Sequence, residues 1–219
     1  MTRFSVRLMT NWIEKTLYSN GTLKNKLHIH DADKLAQIEY RESAKNIVYL
    51  LARQPKIKNL ADLQKIHSFM FGELYDWAGQ YRPGNFQKDD YIFFDFHRFQ
   101  YAITDINALI KQMNAKEVLT KLDYAKLLDE INYMHPFREG NGRSTKVFLQ
   151  CIAANHQQVL NYPRKNNEMI KAQQDSDLNA IANLLKLDNS PSQEIAYHRI
   201  IDLHKDNCLL YTSDAADEL

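Results

Sequence analysis

Apolar residues recur at helical spacing along most of this chain, a rhythm that excludes folds built mainly from sheet. Ala44, Ile47, Val48 and Leu51 follow the i, i+3, i+4, i+7 pattern that lines one face of an α-helix. Leu63, Ile66, His67 and Met70 do the same, and Leu74 and Trp77 extend that stripe. Further stripes run through Ile103, Ile106, Ile110 and Met113, through Leu127, Leu128, Ile131 and Met134, and through Leu178, Ile181, Ala182 and Leu185. No internal repeat, low-complexity tract or Pro/Gly linker divides them. With 219 residues, enough to bury a sizeable core, the pattern predicts an all-α fold, one compact helical domain over residues 1–207.

Helical spacing stops at "GQYRPGNFQKDDYIFFDF" (Gly79 to Phe96), where Pro83, Gly84 and Asn85 supply turn chemistry. Tyr81, Phe86, Tyr91, Ile92, Phe93 and Phe94 around it are strand-prone. The segment fits a short β-hairpin flap on the helical body, whose edge offers unpaired backbone groups to another extended chain. A structured loop with its aromatics packed on the core fits the same pattern.

Lys plus Arg (28) nearly balances Asp plus Glu (27), so the overall charge argues for no nucleic-acid partner, and any anion site must be local. No apolar run approaches the roughly 18 residues that span a bilayer, and Met1 to Asn20 lacks a secretory apolar core, so the expectation is a cytoplasmic protein without a membrane partner. Two cysteines, Cys151 and Cys208, are too few for a disulfide framework and suit a reducing compartment. The tail "CLLYTSDAADEL" (208–219) resembles a translated sequencing adaptor and is set aside as a scar or disordered tail.

Chemistry concentrates in "INYMHPFREGNGRSTKVFLQ" (Ile131 to Gln150). Proline after His135 disfavours helical backbone at His135, so the helix carrying Ile131 and Met134 should end there and present the imidazole. Phe137 is the only large apolar residue in the next turn and should anchor it in the core. Gly140, Asn141 and Gly142 tolerate positive φ, which lets successive N–H groups converge into an anion nest at the start of a helix with Val147, Phe148, Cys151 and Ile152 on its apolar face. Arg143 and Lys146 then sit in a first turn, where cations oppose the helix dipole at roughly 0.3–1 kcal/mol each unless something compensates. A bound polyphosphate would compensate. Three apart, they share a helix face and could grip two phosphates of one nucleotide. Glu139 is a hard oxygen ligand suited to Mg²⁺ on those phosphates, and His135 could act as general base near neutrality. Each piece alone has an ordinary structural reading: a helix-end His as cap, a Gly-Asn-Gly as turn. The four-residue gap between glycines of a Walker A loop is absent. What carries weight is the joint order within twelve residues.

That order resembles the core motif of the Fic (filamentation induced by cAMP) family, His-x-Phe-x-Asp/Glu-Gly-Asn-Gly-Arg-x-x-Arg, written here His135-Pro-Phe137-Arg-Glu139-Gly140-Asn141-Gly142-Arg143-Ser-Thr-Lys146. "YSNGTLKNKLHI" (Tyr18 to Ile29) and "IHSFMFGELYDWAGQYR" (Ile66 to Arg82) look like family landmarks, so the resemblance covers a core of about 18–187. It implies a protein adenylyltransferase that moves AMP from Mg-ATP to a Ser, Thr or Tyr hydroxyl of a target protein, with ATP and Mg²⁺ required. By position it makes His135 the catalytic base and Glu139 the metal ligand, and it makes Gly140, Asn141, Gly142 and Arg143 the phosphate nest, with Ser144, Lys146 and Gln173 bordering the nucleotide. Phe137 is structural, and Lys88, Phe93 and Phe96 are flap residues for target docking.

One departure stands out: Lys146 replaces the last motif Arg, keeping the charge and losing the bidentate fork. The alternative reading is therefore a nucleotide-binding regulatory module with weakened catalysis. In the family that Arg also meets an inhibitory Glu from a Ser/Thr-x-x-x-Glu-Gly/Asn motif, on the chain itself or on a small antitoxin. "SPSQEI" (Ser190 to Ile195) carries Glu194 with Ile where Gly or Asn belongs, and "TNWIEK" (Thr10 to Lys15) ends wrongly too, so the expected source is a separate antitoxin or a motif displaced by the scarred tail.

Overall fold

The computed structural model describes residues 12–88, 91–163 and 167–214, with side chains through 206. Helices α1 (Ala32–Ala52), α2 (Ala61–Phe71), α3 (Phe99–Asn114) and α4 (Lys121–Met134) precede the motif, and α5 (Asn141–Asn155) begins within it. Helices α6 (Asn167–Gln174), α7 (Leu178–Leu184) and α8 (Gln193–Asp214) follow. Among the described residues no helix is long and apolar enough to cross a membrane.

Local chemistry starts these helices where the sequence places polar caps. Asp31 accepts from the Lys34 amide at 2.9 Å to open α1. Thr120 and Asp123 form a reciprocal capping box on α4, and Lys116 holds Asp123 at 2.6 Å. The stripes bury as expected, with one correction. Leu74 and Trp77 do not continue α2, which stops at Phe71; the carbonyls of Gly72 and Leu74 are instead taken by the side chain and amide of Lys26.

Helix α5 is the axis of the molecule. Every residue from Val147 to Ala154 is buried, as a helix enclosed on all sides requires, and α2, α4, α8 and the strand Gln158–Asn161 surround it. Strands β1 (Gln87–Lys88) and β2 (Tyr91–Ile92) pair antiparallel, Gln87 opposite Ile92, and form the flap hairpin. A second antiparallel pair, β3 (Gln158–Asn161) with β4 (Lys186–Asn189), was not expected. Buried Gln158 fixes it by accepting from the Tyr124 hydroxyl at 2.8 Å and donating to the Leu119 carbonyl at 2.9 Å. The backbone of α8 stays helical through Asp214, inside the stretch expected to be a scar or disordered tail; 215–219 lie outside the described residues.

Candidate active site

His135 ends α4, as the following proline anticipates, and does so in a left-handed conformation, φ 45° and ψ 64°, instead of the extended backbone usual before proline. A helix C-terminus leaves carbonyls without intrahelical donors. Arg82, almost fully buried, supplies them: Nε donates to the His135 carbonyl at 2.8 Å and Nη2 to that of Met134 at 3.2 Å. The same guanidinium bonds the carbonyls of Gly84 and Phe94 in the flap and lies 4.8 Å over Phe99. One buried cation therefore ties the flap to the helix end, and burial brings its pKa down to about 10. Gly84 is needed beside it, because a Cβ there would run into Trp12.

The flap roofs the imidazole. Phe93 stacks on His135 with centroids 3.8 Å apart, and Phe86 stacks at 5.3 Å. Phe93, expected as a docking residue, is thus buried against the imidazole, with its side chain turned inward. Phe96 is half-buried against the core in a 3₁₀ turn, its amide held by Asn85 at 2.9 Å, so it is displaced from the flap edge as well. Lys88 is exposed on β1. Beneath the roof the Nδ1 of His135 is buried without a protein partner, and its pKa falls to about 3 through burial, with the charges of Arg82 and Lys88 adding. The ring is thus neutral well below the near-neutral pKa expected of it.

Between His135 and α5 the loop is braced from inside. Phe137 is fully buried and stacks at 3.9 Å on His67, a neutral histidine whose burial lowers its pKa to about 4. His67 accepts from the Gly79 amide at 2.9 Å, so its Nε2–H donates to the Glu139 carbonyl at 2.8 Å. Asn141 uses both ends of its amide on the Phe137 backbone, at 2.8 and 2.9 Å, and Ser144 donates its hydroxyl to the Gly140 carbonyl at 2.9 Å. Both side chains are buried in these bonds, so neither can face a phosphate. Only the main chain of Asn141 remains for that task.

Of the three residues that tolerate positive φ, only Gly140 adopts it, at 77°; Asn141 and Gly142 are the first residues of α5. A Cβ on Gly140 would come within 2.6 Å of Phe71. The Gly140 amide is already taken by Glu139 Oε1 at 3.0 Å. Among the described residues no protein acceptor meets the amides of Asn141, Gly142 and Arg143. These are the free N–H groups a helix start directs at an anion.

The two cations diverge. Arg143 reaches α1, where it forms an ion pair with the buried carboxylate of Glu39, approaches Ser43 Oγ at 3.5 Å and lies 4.9 Å over Phe71. Lys146 lies on the other side, 5.6 Å from the Tyr162 ring centre, with its pKa lowered by burial and no carboxylate beside it among the described residues. The shared face expected from their spacing is thus split by their long side chains. A cavity of about 260 Å³ gathers His135, Gly142, Lys146 and Gln173 with Tyr162 and Met169. Glu139 does not line it; with Glu39 and Tyr75 it borders a second cavity of about 250 Å³ on the α1 side. Glu194 is exposed in the first turn of α8, and Thr10 lies outside the described residues.

Arg82, His67 and Glu39 were not foreseen as site residues. A polar residue inside an apolar helical stripe is the one signal that could have marked His67, set among Leu63, Ile66 and Met70; Glu39, with Glu42 and Ser43 following on its helix, carries none. Arg82 carries no such signal.

A model of the Fic/DOC family matches residues 57–153. The chain is 30% identical over 140 residues to a probable protein adenylyltransferase Fic of Salmonella typhimurium, covering 61% of this chain and 68% of that one. It is 31% identical over 155 residues to a probable protein adenylyltransferase of Sinorhizobium fredii, covering 65% and 77%. Among solved structures, the Fic domain of a Bartonella quintana Bep effector with bound ADP superposes with a TM-score of 0.72 at 21% identity, covering 83% of this chain and 98% of that one. The motif, the helical frame around it and these relatives agree, and the chain belongs to the Fic/DOC family.

Proposed function

We propose that this chain is a protein adenylyltransferase that moves AMP from Mg-ATP to a Ser, Thr or Tyr hydroxyl of a target protein. The observation that carries the reading is the set of unspent amides of Asn141, Gly142 and Arg143 at the start of α5, beside the cavity that holds His135 and Lys146. Main-chain N–H groups and one cation with no counter-charge suit a triphosphate.

Neutral His135 takes the proton of the acceptor hydroxyl, the hydroxyl oxygen attacks the α-phosphorus, and the bond to the β-phosphate breaks to release pyrophosphate. Burial makes the imidazole a weak base, and negative charge from a bound triphosphate would raise its proton affinity. Phe93 and Phe86 keep the ring flat under the flap. The exposed outer edge of the hairpin, with Ile92 55% accessible, supplies backbone groups to the target segment.

Glu139 fits Mg²⁺ as a single exposed hard-oxygen donor, and since no larger cluster of ligating side chains gathers among the described residues, phosphate oxygens would complete the shell. Bound there, the metal supplies neutralisation of charge on the leaving pyrophosphate. Turning the Glu139 carboxylate toward the nucleotide gives up its one bond to Gly140, about 0.5–1.5 kcal/mol. Lys146 is where an inhibitory glutamate from a small partner protein would bind, and Cys151, a buried free thiol, suits action in a reducing cytoplasm.

Incubation with ATP labelled at the α-phosphate tests the reading: label should pass to protein, and His135→Ala should slow transfer by about 10²–10⁴. Equal labelling by the variant would remove His135 from its role.

A further inference from the structure

The environment of Arg143 is more elaborate than a surface ion pair. Glu39 sits on α1 with 8% of its surface exposed, and a buried carboxylate must find donors. It has two, the Tyr75 hydroxyl and Arg143 Nη2. Around the guanidinium, Ser43 offers Oγ at 3.5 Å to Nη1 and Phe71 lies 4.9 Å beneath its plane. Phe71 is also the wall that a Cβ on Gly140 would strike, so one ring sets both the start of α5 and the height of the cation above it.

Stability alone gives little reason for this arrangement. Buried ion pairs are commonly replaced by apolar residues at no loss, and a cation in the first turn opposes the helix dipole. A guanidinium carries five N–H donors in a rigid fork. Glu39 and Ser43 engage two of them, leaving the rest for an anion at the adjoining free amides. On the α1 side Glu39, Tyr75 and Glu139 also line one cavity together. The Tyr75 hydroxyl is pushed up chiefly by burial and then by Glu39, the carboxylate it bonds.

We infer that Glu39 is a positioning residue for the proposed transfer: it holds the Arg143 guanidinium at the mouth of α5 so that the unused donors meet a phosphate of bound ATP. This rests on the nucleotide reading above. Glu39 touches no reacting atom, so its effect should appear in nucleotide affinity and only through Arg143.

Calorimetric titration of Mg-ATP and of AMP tests it with Glu39→Gln, Arg143→Gln and the double variant, each checked for an intact thermal transition. Glu39→Gln should weaken Mg-ATP about tenfold, the worth of one charge-assisted bond, and change AMP by less than about twofold. In the Arg143→Gln background the same change should add nothing, whereas a merely structural role would give equal losses in both backgrounds. Should Glu39→Gln not fold, Ser43→Ala, which removes only the second bond to Arg143, should weaken Mg-ATP about twofold or more. Unchanged Mg-ATP affinity in whichever variant folds, or additive losses in the double variant, would overturn the assignment of Glu39 alone. No Mg-ATP binding by the unaltered chain would remove the nucleotide reading and this inference with it.

Discussion

Arg143 and Lys146 leave one helical turn with the same charge and end in opposite surroundings. On the α1 side Arg143 meets a carboxylate, a hydroxyl and an aromatic face, all from the protein. On the cavity side Lys146 keeps much of its surface exposed, with an aromatic ring near its ammonium group and no counter-charge among the described residues. The cost of a cation at a helix start is therefore offset by the fold for the first and left open for the second. An uncompensated, partly desolvated cation facing a cavity is a place where a ligand anion contributes most. Lys146 should accordingly act mainly in binding, and Arg143 in both binding and folding.

Acid should test both sides at once and produce the largest effect. Each cation has a neutral histidine as neighbour: His67 near Arg143 and His204 near Lys146, both lowered to about 4 by burial first and by the respective cation. Their folded pKa values lie below the ordinary 6.5, so the unfolded chain binds more protons and stability rises with pH. The contribution is complete above about 6.5 and is lost as pH falls toward 4, by up to about 1.4 kcal/mol per unit for each histidine. Urea midpoints measured from pH 7 to 4 should fall steadily; a flat profile would mean that neither ring is held neutral.

Next in size, Gly140→Ala should cost about 2–4 kcal/mol, because the residue adopts φ 77° and its Cβ would press on Phe71. Gly142→Ala has open space around it and should leave the denaturation midpoint within about 0.5 kcal/mol while hindering nucleotide entry. Similar thermal losses in both variants would erase the distinction between the braced and the open part of the loop.

Smaller still, and most specific to the comparison, Arg143→Ala should destabilise the fold by about 1–3 kcal/mol by leaving buried Glu39 without its cation. Lys146→Ala should leave stability within about 0.5 kcal/mol yet weaken Mg-ATP by roughly 1–2 kcal/mol. Paired denaturation and titration series on the two variants would show whether the roles divide this way; matching profiles would contradict it.

Much of this was legible in the chain. Periodicity located the helices, the proline after His135 fixed where α4 ends, and Pro83 to Asn85 with the following aromatics marked the hairpin. Those features are local: a few neighbouring residues decide them. The sidedness of Arg143 and Lys146 was not legible, since a spacing of three puts Cβ atoms on neighbouring rows while the direction of a long side chain depends on distant partners. Glu39 lies over a hundred positions before Arg143, at |i−j| = 104, and Arg82 is 53 from His135. The β3–β4 pair was missed for the same reason, because Gln158 meets Asn189 across two helices of intervening chain. Motif order thus carries the proposed chemistry, and the braces around it come from separations that periodicity does not encode.

The central claim is that the amides opening α5 receive a phosphate. Nitrogen-15 spectra of the labelled protein titrated with Mg-ATP address it residue by residue. The account predicts that the amides of Asn141, Gly142 and Arg143 shift strongly and saturate together, while the amide of Gly140, already bonded to Glu139, moves less. Saturable binding that leaves those three resonances in place would contradict it.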